Sequence, residues 1–125
     1  MTKVLLVEDN EMNRDMLGRR LQRQGFTMCF AVDGPQGVAM ASDEMPDIIL
    51  MDVALGEMDG WEATRLIKGN PQTARIPVIA LTAHAMATDR DISVKAGCSE
   101  YDTKPVDMPR LLAKMQQCLG TQAAE

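Results

Sequence analysis

The chain contains little cysteine, few aromatic residues and a single histidine. Its 125 residues include three cysteines, one tryptophan and one tyrosine. The number of cysteines is odd, and they are widely spaced at Cys29, Cys98 and Cys118. This pattern does not fit a zinc site or a disulfide framework. We therefore predict that all three are reduced and largely buried as small hydrophobic side chains.

Long apolar stretches and basic runs are also missing. No segment approaches the roughly 18 apolar residues of a membrane helix, and the apolar segment Val4–Val7 is too short for a signal-peptide core. Proteins that bind nucleic acid or anionic membranes carry clustered Lys and Arg. This chain instead has a formal net charge of −5. We therefore expect a cytoplasmic protein that binds neither nucleic acid nor membrane, and whose partner is another protein.

Methionine, by contrast, is abundant, with 11 residues in the chain. Its flexible thioether side chain can fill irregular gaps in a core or form an adaptable contact surface. We favour core filling and keep a contact surface as the alternative.

Five short apolar runs alternate with longer amphipathic stretches. This pattern predicts an α/β fold in which a doubly wound, five-stranded parallel sheet carries five helices on its two faces. The predicted strands are Lys3–Val7, Thr27–Val32, Asp47–Asp52, Ile76–Leu81 and Ser99–Thr103. The length suits one domain, which we place at residues 1–120, with a frayed tail at 121–125 and no second domain.

Helix boundaries are marked by caps, glycines and prolines. In the first predicted helix Met12, Met16, Leu17 and Leu21 share one apolar face, and Gly25 follows its end. The other helices are predicted to run from Asp33-Gly34-Pro35 to about Asp43, from Gly60-Trp61 to Gly69, from about Met86 to Ala96, and onward from Asp107 as cap.

Polar residues follow four of the five predicted strands. Glu8 and Asp9 follow the first strand, Asp52 ends the third, Thr82 follows the fourth and Lys104 the fifth. Ligands of open parallel sheets bind beyond the carboxyl ends of the strands. We therefore predict a functional site there, although a single Asp at a strand end is most often a helix cap or a solvated loop residue.

The three carboxylates predict a metal. If the strand order is 2-1-3-4-5, the first and third strands are neighbours, which would bring Glu8, Asp9 and Asp52 together. Carboxylates about 4 Å apart repel one another by roughly 1 kcal/mol per pair in water and by more in a partly buried site. A bound cation relieves this repulsion, and oxygen ligands without Cys or His favour Mg²⁺ over zinc.

The same residues suit phosphoryl transfer. A carboxylate can attack phosphorus, and the protein then needs to align and neutralise the transferred group. Mg²⁺, the Lys104 ammonium, and the Thr82 hydroxyl with nearby backbone N–H groups would each hold one phosphoryl oxygen.

Five short motifs in order resemble the receiver domain of two-component response regulators, of the single-domain type. They are Glu8-Asp9-Asn10, Met51-Asp52, Met58-Asp59-Gly60-Trp61-Glu62, Leu81-Thr82-Ala83 and Lys104-Pro105. The resemblance extends over nearly the whole chain and implies the strand order 2-1-3-4-5. It also implies a phosphoprotein that acts in signal transduction and is not an enzyme that turns over an external substrate.

The resemblance assigns roles to the residues at the predicted site. Asp52 is the phosphoacceptor, Asp9 binds Mg²⁺ directly, Glu8 acts mostly through water, and Ala54 offers its backbone carbonyl to the metal. The Lys104–Pro105 bond is expected to be cis, with an ordinary trans turn as the alternative.

The resemblance also implies a conformational switch and its partners. Thr82 and Lys104 sense the phosphate, and Tyr101 turns inward when Thr82 moves; the alternative for Tyr101 is a half-buried side chain with its hydroxyl in water. A sensor histidine kinase or histidine phosphotransfer protein donates the phosphoryl group. A downstream target binds the fourth helix, fifth strand and fifth helix, or phosphate passes onward in a phosphorelay.

Four further residues lie near the predicted site. Gly56 stands where many relatives have proline. Glycine gives the loop that carries Ala54 more conformational freedom. Ala54 and His84 occupy the variable positions near the phosphate where relatives set their dephosphorylation rate. Trp61 is expected to be a packing residue of the third helix.

Three other functions compete with this interpretation. A phosphatase with an aspartate nucleophile usually has a second Asp two residues later, where this chain has Ala54. A flavodoxin-type module needs a phosphate loop rich in Ser, Thr and Gly after the first strand, where this chain has Glu8-Asp9-Asn10-Glu11. A scaffold that keeps the fold but ignores phosphate would not need the complete set of side chains present here.

Overall fold

Strands and helices alternate along the chain, as the apolar pattern predicts. The structure is a computed structural model that describes residues 2–83 and 87–123. Its elements are β1 (Lys3–Val7), α1 (Glu11–Arg23), β2 (Thr27–Ala31), α2 (Gly34–Glu44), β3 (Ile48–Asp52), α3 (Gly60–Gly69), β4 (Val78–Thr82), α4 (Ala87–Ala96), β5 (Glu100–Thr103) and α5 (Met108–Ala123).

The five strands form one parallel sheet in the order β2-β1-β3-β4-β5. This order confirms the predicted doubly wound fold. Strands β1 and β3 are neighbours, with Val4 opposite Ile48 and Val7 opposite Met51. The direction of winding reverses between these two strands, so their carboxyl ends flank the crevice where ligands of this fold class bind.

The central strands are buried on both faces, which explains their nearly continuous apolar sequences. Alternate residues of β1 contribute to two separate cores, because successive side chains of a strand point to opposite faces. Leu5 and Val7 pack with residues of α2 and α3, including Ala41, Ala63 and Ile67. The second core, on the other face, comprises Val4, Leu6, Leu17, Leu21, Ile48, Leu50, Ile79, Leu81, Leu111 and Met115.

The predicted apolar face of α1 is wrong in its N-terminal half. Leu17 and Leu21 are buried, but Met12 and Met16 are 71% and 49% exposed. Gly18 takes part in the buried face instead, because a Cβ at this position would lie 2.6 Å from the Phe30 ring. At about 100° per residue, Met12 and Met16 lie roughly 100–180° around the helix from Leu17 and Leu21, which places them on the solvent side.

The methionines divide between the core and the surface. Met51 and Met115 are fully buried, whereas Met12, Met16 and Met45 are exposed. Core filling alone does not account for the abundance of this residue.

The cysteines are free, as predicted, but less buried than expected. Cys29, Cys98 and Cys118 are all half-buried. Cys29 lies on β2, an edge strand of the sheet, where burial is incomplete.

Most element ends lie within one or two residues of their predicted positions. The fourth strand begins at Val78 and not at Ile76, since Pro77 has no N–H to donate to a neighbouring strand. Helix α5 begins after Asp107, whose carboxylate accepts the Arg110 amide at 3.2 Å, and continues through Gly120 to Ala123. Three residues of the predicted frayed tail are therefore helical.

Helix α4 begins at Ala87, and the predicted start at Met86 lies outside the described residues. Within the described ranges, none of the helices has the length and apolar composition that a bilayer span requires.

Candidate functional site

The sheet brings the predicted polar residues to one edge. Glu8 directly follows β1, Asp52 is the last residue of β3, Thr82 is the last residue of β4 and Lys104 follows β5. Glu8, Asp52 and Thr82 are nearly inaccessible to solvent, with relative exposures of 4%, 3% and 2%. Asp9, in contrast, is exposed at the mouth of the site.

Three carboxylates meet at this edge, as predicted. One oxygen each from Glu8, Asp9 and Asp52 lies within 4.8 Å of the others. The adjacent β1 and β3 strands account for this arrangement, because each delivers its acidic residue at the same level of the sheet.

The backbone around Glu8 fixes the direction of its side chain. The Glu8 amide donates to the Ala31 carbonyl at 3.1 Å, and the Arg14 guanidinium donates to the Glu8 carbonyl at 2.9 Å. The Asn10 amide donates to Glu8 Oε2 at 3.2 Å, while the Asn10 side chain caps α1 by accepting the Asn13 amide at 2.9 Å. The turn between β1 and α1 therefore both starts the helix and aims the carboxylate.

Lys104 reaches two of the acids. Its Nζ lies 2.8 Å from Glu8 Oε1 and 3.3 Å from Asp52 Oδ2. Its backbone amide donates to the Thr82 carbonyl at 2.7 Å. The Lys104–Pro105 peptide bond is cis, as predicted.

These contacts shift the pKa of Glu8 and Lys104. Burial raises the pKa of Glu8, and the contact with Asp52 raises it further, whereas Lys104 opposes the shift. Burial by itself would lower the pKa of Lys104, but the hydrogen bond to Glu8 and the charge of Asp52 outweigh it and raise this pKa. Lys104 therefore remains an ammonium near neutral pH.

Asp52 is held from two sides. The Ala54 amide donates to Asp52 Oδ1 at 3.0 Å, which leaves Oδ2 facing Lys104. Gly60, the first residue of α3, packs so closely that a Cβ there would lie 2.7 Å from the Val53 Cα. The start of α3 thus fixes the backbone that follows Asp52.

The residues at the site fit a hard divalent cation. All three candidate ligands are carboxylate oxygens, the type of ligand that Mg²⁺ prefers. One ammonium, that of Lys104, is too little to balance three carboxylates, and a divalent cation would offset the remaining charge. The predicted Ala54 carbonyl ligand stays a prediction.

The predicted switch residues lie close to the same edge. Thr82 is buried at the end of β4, opposite Thr103 in the register of β4 and β5. Tyr101 is half-buried on β5, and the Lys114 ammonium lies 5.2 Å from the centre of its ring. His84 lies outside the described residues.

Trp61 has the predicted packing role. Its Nε1 donates to Ser93 Oγ at 2.9 Å, and this bond joins α3 to α4.

Sequence reasoning gave no role to two groups of residues near the site. Asn10 and Arg14 support Glu8, and the polar residue before the first helical turn was the available signal for Asn10. Asp102 forms a buried ion-pair cluster with Arg110 and Lys114 of α5. An Asp in the middle of a predicted strand was the only sign of this cluster.

The fold and the acidic site define the class of this protein, and comparison with known sequences identifies its family. The chain belongs to the response regulator receiver domain family, whose family model matches residues 4–116. It is therefore a phosphoryl-accepting module of two-component signalling.

Individual relatives agree with this assignment. The polar-differentiation response regulator DivK of Brucella ovis is 36% identical over 121 residues, which cover 96% of this chain and 98% of that protein. The receiver domain of sensor histidine kinase PA1611 from Pseudomonas aeruginosa, solved with magnesium in its active-site cleft, shares 37% identity with a TM-score of 0.88, covering 95% of this chain and 98% of that one. The Ssk1 receiver domain of Saccharomyces cerevisiae, solved with the histidine phosphotransfer protein Ypd1, shares 29% identity with a TM-score of 0.88, covering 97% and 92% respectively.

Proposed function

We propose that Asp52 accepts a phosphoryl group from the phosphohistidine of a sensor kinase or phosphotransfer protein. The observation that carries this proposal is the contact of one Asp52 oxygen with Lys104 at 3.3 Å inside the cluster of three acids. An oxygen of Asp52 attacks phosphorus, the bond between phosphorus and the imidazole nitrogen breaks, and its electron pair returns to the imidazole. The product is an aspartyl phosphate.

The protein supplies positioning and charge for this reaction. Lys104 is placed to stabilise one phosphoryl oxygen, and the Thr82 hydroxyl at the end of β4 to hold another. The Ala54 amide at 3.0 Å from Asp52 Oδ1 orients the carboxylate for attack. These groups are already in place before the donor arrives, which reduces the cost of reorganisation.

We assign Mg²⁺ to the acidic cluster. Glu8, Asp9, Asp52 and the Ala54 carbonyl would hold it, with Glu8 acting mostly through water. When bound, the ion supplies positive charge that neutralises the transferring phosphoryl oxygens. The PA1611 receiver domain was solved with magnesium in its active-site cleft, which supports the same assignment here.

Phosphorylation is proposed to act as a switch. Thr82 and Tyr101 lie on the adjacent strands β4 and β5, so a movement of Thr82 toward the phosphate would change the space beside Tyr101. The altered surface of α4, β5 and α5 would then bind a downstream target, or the phosphoryl group would pass onward in a relay. We propose a cytoplasmic location, and no turnover of external phosphate esters, because Ala54 offers no acid side chain next to Asp52.

The exposed methionines of α1 mark the proposed docking surface for the donor. Met12 and Met16 lie one turn apart, and Met16 borders a groove of roughly 600 Å³ that also contains Glu8, Lys104 and Pro105. A donor helix packed over these side chains would bring its histidine to the mouth of the site.

Borohydride trapping tests the position of the phosphoryl group. Hydride reduces an acyl phosphate to an alcohol, so phosphorylated Asp52 becomes homoserine, which peptide mapping by mass spectrometry locates. We expect the modified residue at position 52 after treatment with acetyl phosphate and Mg²⁺. Reduction at Glu8 or Asp9 with Asp52 intact would refute the assignment.

A further inference from the structure

Asp102 is a buried acid that the proposed reaction does not use. It lies in β5 with a relative exposure of 1%. Its Oδ1 accepts the Thr103 amide at 2.9 Å and Arg110 Nε at 2.7 Å, and Lys114 Nζ lies 3.6 Å away. Within the described part of the chain, its Oδ2 is buried and has no hydrogen-bond partner. Buried polar atoms are usually satisfied, so this residue calls for an explanation.

The two cations of this Asp102 cluster (Asp102, Arg110 and Lys114) come from one face of α5. Because they are four residues apart, both reach β5 from adjacent turns of the helix. Arg110 Nη2 also donates to the Thr103 carbonyl at 3.2 Å, and Lys114 Nζ donates to the Tyr101 carbonyl at 2.6 Å. Three consecutive residues of β5 are therefore held by α5.

The next residue along the chain is Lys104. Its amide is bonded to Thr82 and its ammonium contacts Glu8 and Asp52. Asp102 and Lys104 are thus separated by one residue, Thr103, and the two sets of contacts position the same segment of the backbone.

Stability alone does not explain an acidic side chain at this position. Replacing a buried ion pair by apolar residues of similar size is often neutral or stabilising. Both cations are partly exposed, with side-chain exposures of 43% for Arg110 and 24% for Lys114, so they could turn to water if Asp102 were apolar.

We propose that Asp102 is a positioning residue that couples α5 to the Lys104 end of β5, so that phosphorylation at Asp52 changes the α5 surface through the Asp102 cluster. This inference rests on the proposed phosphorylation of Asp52. A displacement of Lys104 toward a phosphoryl oxygen pulls on Thr103 and Asp102, and Arg110 and Lys114 transmit it to α5. Coupling of this kind is reciprocal, so a partner bound to α5 would also alter the site.

The variant Asp102→Val tests the coupling. Mass spectrometry measures hydrogen exchange of α5 with and without acetyl phosphate and Mg²⁺. We expect this variant to remain folded and to take up phosphate. The change in α5 exchange on phosphorylation, present in the wild type, should fall by about threefold or more. Asp15→Val is the matched control, because Asp15 pairs with Arg19 on the exposed surface of α1.

A second variant guards against loss of folding. Asp102→Val combined with Arg110→Met replaces both members of the closest ion pair with apolar side chains, and it should show the same loss of response. The inference is overturned if phosphorylated Asp102→Val responds in α5 as the wild type does, or if α5 of the phosphorylated wild type does not respond at all. Failure of the wild type to take up phosphate refutes the proposed function first, and the inference with it.

Discussion

At the scale of single residues, Lys104 has two opposing effects on the site. Its ammonium lies 2.8 Å from Glu8 and 3.3 Å from Asp52, so it reduces the repulsion among the acids. The same positive charge competes with a divalent cation for these carboxylates. We therefore expect Lys104 to weaken metal binding while it favours the phosphorylated state.

These effects can be separated with Lys104→Met. We expect the variant to bind Mg²⁺ about three- to tenfold more tightly, because one positive charge beside the ligands is removed. Its phosphorylation by acetyl phosphate should be slower than that of the wild type. Isothermal titration calorimetry and intact mass spectrometry measure the two quantities.

The control for this variant is Lys3→Met, since Lys3 pairs with Glu44 at the other end of β1. It should change neither quantity. Unchanged or weaker Mg²⁺ binding by Lys104→Met would contradict the described competition.

The cysteines offer a pH-dependent prediction. Burial raises the pKa of the thiols of Cys29, Cys98 and Cys118 above the ordinary value of 9.0. The folded state therefore holds these protons more tightly than the unfolded state, and the free energy of unfolding should fall as the pH rises above 9.0.

Alkylation by iodoacetamide as a function of pH tests the same shift, because the thiolate is the reactive form. We expect the midpoint of the rate profile to lie above 9.0 for the folded protein and near 9.0 for the protein in urea. Identical midpoints in the two states would show that the thiols are not perturbed by folding.

At the scale of the elements, the start of α3 supports the end of β3. Gly60 lies so close to the backbone of Asp52 and Val53 that a methyl group cannot fit without displacing it. We expect Gly60→Ala to lower the free energy of unfolding by about 1–3 kcal/mol, measured by urea denaturation. Gly56→Ala is the control, because a Cβ at Gly56 would have no neighbour within 4 Å. Equal stability of the two variants would disprove the close packing.

Helix α1 carries the proposed contact with the donor. The test uses a histidine phosphotransfer protein that phosphorylates the wild type. We expect Met12→Lys to slow this phosphotransfer about tenfold, because the apolar contact is lost. The rate with acetyl phosphate should not change, since this small donor needs no docking surface. Time courses of intact mass measure both rates.

Met45→Lys is the matched control for this prediction, because Met45 is also exposed but lies after α2. If Met12→Lys left both rates unchanged, the donor would have to dock elsewhere.

The elements themselves were largely predictable from local signals. Asp33 and Asp107 accept backbone amides at the helix starts predicted for them, and Asp59 caps α3 in the same way. The predicted inward face of α1 was wrong because Met12 and Met16 lie roughly 100–180° around the helix from Leu17 and Leu21, so the four side chains cannot share one face. The contact of Gly18 with Phe30 comes from another element and gave no signal in the spacing.

At the scale of the whole molecule, the site depends on the order of the strands. Glu8 and Asp52 meet only because β1 and β3 are adjacent, and Lys104 reaches them from the far side of β4. The sequence identified these residues through their positions at strand ends, and the strand order came with the family resemblance. The Asp102 cluster escaped sequence reasoning since its cations come from a different element and approach only in the folded chain.

The central claim is that Asp52 becomes phosphorylated in a reaction that requires Mg²⁺. The most direct measurement is the intact mass of the wild type and of Asp52→Asn after treatment with acetyl phosphate, in Mg²⁺ and in EDTA. The account predicts the mass gain of one phosphoryl group in the wild type with Mg²⁺ and in no other sample. The same gain in Asp52→Asn, or no gain in any sample, would contradict it.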